Sequence, residues 1–146
     1  GWRLGYAVWP DALVEHATRL CINDHSCVNA PTQFAGIAAL EGPQDEVVRM
    51  VEAFDRRRQV IVDGLNALPG VRCADAAGAF YAFPNIEGTG LSARAAQDRF
   101  LEDCGVATVA GTSFGAHGEG FLRFSYANSE DNIREALHRI GKFLEG

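Results

Sequence analysis

Hydrophobic and polar positions change period along the chain, and the changes mark its elements. Gly1 to Trp9 reads GWRLGYAVW, a predicted strand closed by Pro10, with Arg3 set between Trp2 and Leu4. From Asp11 the spacing turns helical through Leu13, Ala17, Leu20 and Cys21, and Asp11 is the expected cap. Asn23 to Asn29 is polar and predicts a turn. Pro31 suits the first turn of a second helix, with Phe34, Ile37 and Ala38 on one face. Gly42 and Pro43 punctuate. The longest element follows, from about Gln44 to Leu68, with Val47, Val51, Phe54, Ile61, Leu65 and Leu68 along one stripe. Pro69-Gly70 ends it.

The second half alternates between short strands and helices. Val71 to Cys73 predicts a short strand, and Gly78 to Pro84, GAFYAFP, an aromatic one. Ser92 caps a helix carrying Ala96, Phe100 and Leu101, and Gly105 ends it. Val106 to Val109 and Phe121 to Tyr126 are two more apolar runs. Gly111, Gly115, Gly118 and Gly120 punctuate the loop between them. A last helix starts at Asn128-Ser129, with Glu130 and Asp131 where the helix dipole favours anions and a stripe of Ile133, Leu137, Ile140 and Leu144. The pattern predicts an α/β fold, a short-stranded sheet covered by helices. Its expected core is Phe54, Leu65, Phe80, Phe83, Phe100, Phe124 and Ile140.

Composition narrows the classes. The 146 residues carry a net charge of -6, which argues against a nucleic-acid surface. No apolar run reaches membrane-span length, and no basic-then-apolar leader opens the chain. Cys21, Cys27, Cys73 and Cys104 lack CxxC spacing and are expected as reduced, buried thiols of an intracellular protein. His16, His25, His117 and His138 lack metal-site spacing. The run Arg56-Arg57-Arg58 is expected on a solvated helix face.

No catalytic motif such as GxSxG, HExxH or GxxxxGK[ST] is present. The unusual residues are Arg3 and Arg123, cations embedded in apolar runs. An internal salt bridge, or an arginine on a strand's open face, explains either one. A planar guanidinium also suits an anion, a carboxylate above all, held by two parallel hydrogen bonds. Residue chemistry stops at a domain that helps bind an anionic small molecule.

Three motifs in register go further. GWRLGY at 1–6, GAFYAF at 78–83, and the series from Gly111 through Phe114-Gly115 to Leu122-Arg123-Phe124-Ser125 and Ala127 resemble the C-terminal part of fold-type I aminotransferases that use pyridoxal 5'-phosphate. The resemblance is to class I/II, in its bacterial aspartate aminotransferase-like branch, and covers essentially the whole chain. It implies a small C-terminal domain from residue 42 to 146, entered by the long helix. Residues 1–41 are then a remnant of the large cofactor-binding domain, a strand and two helices. It implies that Arg3 contacts the cofactor phosphate, that Arg123 grips the substrate α-carboxylate, and that Asn29 faces the neighbouring cofactor site. The substrates implied are an amino acid and a 2-oxo acid, in a cytoplasmic homodimer with no nucleic-acid or membrane partner. Ala110 departs from the proline often found before this glycine. The Schiff-base lysine of the family falls upstream of GWR, and the only lysine here is Lys142. The expectation is therefore a fragment of a longer enzyme, inactive alone, with no catalytic residue of its own and no metal. Rival readings are a lyase or synthase using the same cofactor, a DNA-binding regulator with an aminotransferase-like module, and a stand-alone ligand-binding or dimerisation module.

Overall fold

The computed structural model describes residues 1–146. They divide into two compact units, Gly1–Glu46 and Val47–Gly146.

The first unit holds α1 (Asp11–Asp24) and α2 (Ala30–Glu41). Asn29 Oδ1 accepts from the Thr32 N–H at 2.9 Å and caps α2, while Pro31 sits in its first turn, where a missing N–H costs nothing. Asp11 does not cap α1. It is the helix's first residue, and Pro10 takes the cap position without a side-chain bond. The strand expected at 1–9 is absent. No other extended segment of the chain takes up its N–H and C=O groups, and Arg3 has φ 57, outside the extended region. Helix α1 buries no residue, and both Cys21 on it and Cys27 beyond its end are exposed, not buried as expected.

Helix α3 runs from Asp45 to Asn66. Beyond it the second unit carries β1 (Tyr81–Ala82), α4 (Ala93–Cys104), β2 (Val109–Ala110), β3 (Leu122–Ser125) and α5 (Glu130–Glu145). The three strands order as β1-β3-β2, with β3 central and both pairings antiparallel. Val71 to Cys73 forms no full strand. It contributes one bridge, from Arg72 to Asn85, and its neighbour Cys73 bonds to the Asn66 side chain instead.

One core joins these elements. Ile61 and Leu65 of α3, Ala96 and Phe100 of α4, Leu122 and Phe124 of β3, and Ile133 and Ile140 of α5 are buried together. Caps fix the helix ends: Ser92 Oγ accepts from the Ala95 N–H, and Ser129 Oγ from the Asn132 N–H. Gly105, at φ 67, gives the left-handed turn that lets its own N–H reach Leu101 O and the Val106 N–H reach Phe100 O. Two expected core residues, Phe80 and Phe83, are 40% and 42% exposed. The period of two in GAFYAFP turns Ala82 and Pro84 inward and Tyr81 and Phe83 outward. Phe80 shares the inward parity but lies at the strand's start, directly after Ala79 at φ 60, where its ring meets Phe54 and Tyr81 and stays part-exposed. The charge run of α3 is partly structural. Arg58 pairs with Asp55 and Asp75, Arg56 lies 3.6 Å from Glu130, and Arg57 stacks on Phe54.

Candidate functional site

The central strand carries the candidate. In β3 the residues alternate: Leu122 and Phe124 enter the core, while Arg123 is half-buried and Ser125 exposed on the other face. Register does the rest. Val109 stands opposite Arg123, and Tyr81 stands opposite Ser125, one diagonal step from Arg123 on the same face. The guanidinium carbon lies 4.4 Å from the centre of the Tyr81 ring and 4.8 Å from that of Phe114. No carboxylate of the chain pairs with it. The internal salt bridge is thereby replaced by two aromatic faces, which attract the cation without using its N–H donors.

Phe114 reaches this place through the glycine-rich loop. Residues Gly111–Phe114 and Ala116–Gly118 form two tight turns, separated by Gly115 at φ 127. Gly111 and Gly118 pack backbone to backbone, and a Cβ on either would collide with the other's carbonyl. The Gly111 N–H donates to Phe121 O at 2.8 Å. Two side chains pin the loop's ends to α4: Gln97 Oε1 accepts from the Ala110 N–H, and Glu119 Oε1 accepts from the Ala93 N–H, both at 2.8 Å. Glu119 thus also places a carboxylate at a helix start, where the dipole favours it. Around the guanidinium the rings brace one another. Phe83 meets Phe114 edge-on at 6.1 Å and stacks on Phe121 at 5.4 Å, and Tyr81 lies 4.5 Å from Phe80. At the strand's end the Tyr126 hydroxyl donates to Ala79 O at 3.0 Å, and burial pushes its pKa up.

Arg3 belongs to the first unit. It is exposed, at positive φ, and its guanidinium has no ion-pair or hydrogen-bond partner within the chain. The Tyr81 and Phe114 contacts were not legible in the sequence. Both aromatics stand in recognised motifs, but their convergence depends on register and loop geometry, which only pairing across the sheet decides.

Known proteins answer to this fold. Residues 1–140 match the family described as aminotransferase class I and II. An aspartate aminotransferase of Pyrococcus horikoshii is 40% identical over the whole chain, which spans 38% of that relative's length. Among solved structures, an aromatic aminotransferase of Pyrococcus horikoshii superposes with a TM-score of 0.90 at 33% identity, over 99% of this chain and 39% of that one. The aspartate aminotransferase of Rhizobium meliloti gives 0.87 at 36% identity, over 99% and 38%. The chain belongs to the class I and II aminotransferases. Transamination is that family's function, and these residues correspond to rather more than a third of such an enzyme.

Proposed function

We propose that the protein containing this chain is a transaminase that moves an amino group between an amino acid and a 2-oxo acid, and that Arg123 binds the substrate α-carboxylate. The observation that carries the reading is the state of Arg123: half-buried, with its guanidinium carbon 4.4 Å from the Tyr81 ring centre and 4.8 Å from that of Phe114, and free of any internal carboxylate. A planar fork with its donors uncommitted suits an external carboxylate bound through two parallel hydrogen bonds.

The family's cofactor is pyridoxal 5'-phosphate, and the chain's donors fit part of it. Arg3 offers an unpaired guanidinium, suited to the phosphate dianion. When bound, the cofactor supplies an electron sink for the bonds at the substrate's α-carbon. What these residues do is bind and orient. Arg123 fixes the carboxylate, which leaves the substrate one rotation about its own axis. The Phe114 ring covers one side of the guanidinium, with Phe83 set edge-on against it.

Residues 1–41 are read as part of the large cofactor-binding domain and 42–146 as the small domain. The assembly proposed is a cytoplasmic homodimer. Its support is the apolar surface of the first unit, where Trp2, Tyr6, Leu20 and Phe34 are all exposed. No helix is long and apolar enough to cross a membrane. Lys142, the one lysine, is exposed in the last turn of α5, on a different element from Arg123. The 146 residues by themselves are therefore expected to be inactive. Incubation with pyridoxal phosphate, borohydride reduction and mapping of the label should show no stoichiometric product at Lys142. Such a product, together with transaminase activity, would refute the point.

The test of the carboxylate role is Arg123→Lys in the full-length protein. The charge stays and the fork is lost, so amino-acid binding should weaken about tenfold or more. Cofactor affinity should barely move. An unchanged kcat/KM sinks the assignment.

A further inference from the structure

We infer that Tyr81 and Phe114 are positioning residues for the carboxylate site, two rings that clamp the Arg123 guanidinium by its faces and keep its N–H edge free and aimed. The inference rests on the reading of Arg123 as the carboxylate ligand.

Three observations carry it. The rings come from separate places, Tyr81 from the edge strand β1 and Phe114 from the loop after β2, and converge on one guanidinium at 4.4 and 4.8 Å. Each is backed in turn. Phe83 meets Phe114 and stacks almost parallel on Phe121, at 8°, while Phe80 lies against Tyr81. Third, no carboxylate of the chain pairs with Arg123, and the two glutamates that flank the sheet's loops are committed elsewhere. Glu119 accepts from the Ala93 N–H, and Glu87 accepts from the Asn85 side chain at 3.0 Å.

The chemistry follows from the shape of the ion. Guanidinium donors lie in its plane, whereas a ring's negative face attracts it from above or below. A protein carboxylate would hold Arg123 equally still, but would occupy the fork that substrate needs. Aromatic faces hold the cation and leave the fork open. They also remove rotamer freedom before substrate arrives, so binding does not have to spend that entropy. The hydroxyl of Tyr81 is not needed for this; only its π face is.

The experiment has two readouts on Tyr81→Leu, Phe114→Leu and Tyr81→Phe. In the 146-residue chain, the Arg123 Nε–H resonance should be shifted upfield by ring currents, move toward the free-arginine value in either leucine variant, and stay in place in Tyr81→Phe. In the full-length enzyme, 3-phenylpropionate serves as an unreactive competitor. Its Ki should rise about fivefold in each leucine variant, the scale of one side chain's ordering entropy. KM for the amino acid should rise more than kcat falls, and Tyr81→Phe should restore both. If Arg123→Lys leaves Ki unchanged, the carboxylate assignment itself is wrong. If Arg123→Lys raises Ki while both leucine variants keep the parent value, or if Arg123 Nε–H resonates at the free-arginine position, the clamp alone is overturned.

Discussion

Both units of the chain hold capped helices with apolar residues at helical spacing, and they reach opposite outcomes. Every buried hydrophobic residue lies in Val47–Gly146, whereas in Gly1–Glu46 the one buried residue is a threonine, Thr32. Helix α1 has a cap position, a regular span and no buried side chain, while α4 of similar length buries Ala93, Ala96, Phe100 and Cys104. Periodicity decides that a segment can be a helix with an apolar face. Whether that face becomes core depends on what lies opposite, and only the second unit supplies a sheet and two further helices to lie against.

Substitutions should expose this contrast most sharply. Leu65 is 1% exposed and Leu20 is 69% exposed. Leu65→Ala should cost about 2–5 kcal/mol, by lost burial plus the cavity left behind. Leu20→Ala should cost less than about 0.5 kcal/mol. Urea unfolding of the 146-residue chain measures both. Equal losses would show that α1 is packed in solution.

A shorter chain asks the same question at the level of whole segments. Starting at Gly42 removes the exposed apolar residues of 1–41 and none of the buried hydrophobics. By light scattering the full chain should self-associate and the shorter one should be monomeric, with similar Tm values at low concentration. A monomeric full chain that melts much higher would make 1–41 integral to one domain.

A smaller effect separates the thiols. Burial pushes the Cys73 and Cys104 thiols above their ordinary value of 9.0. The folded state therefore holds protons that the unfolded chain releases first. The associated stability is fully present below the unfolded thiol pKa and falls as pH rises past it. Urea midpoints should drop between pH 8 and pH 10 in the wild type, and less in Cys73→Ala than in its parent. At neutral pH a thiol reagent should modify Cys21 and Cys27 quickly, and Cys73 and Cys104 only on unfolding. Uniform labelling of all four would contradict the burial.

Much of the second unit was legible in advance. Its helices are bounded by local signals, Ser92, Gly105 and Ser129, whose work is done within four residues of themselves. Arg123 stood out because a cation between Leu122 and Phe124 conflicts with its neighbours. What escaped had non-local causes. The strand at 1–9 has an extended pattern but no partner to pair with. Phe83 is apolar enough for a core, yet the pleat assigns the inward positions to Ala82 and Pro84. The clamp on Arg123 needs the pairing of β1 with β3 and the path of a glycine loop, neither of which is written in any short window.

The backbone contact between Gly111 and Gly118 has a consequence for variation. At the neck of the loop two residues tolerate no side chain at all, because each would strike the other's carbonyl. At the tip no backbone crowds the side chains in this way: Ala116 and His117 are exposed, and Phe114 meets only side chains, Arg123 and Phe83. A rigid neck with a permissive tip lets mutation exchange the side chain facing Arg123 while the strand ends on either side keep their separation. The loop is thus a socket of fixed width, in which selection can replace the fitting without re-cutting the frame.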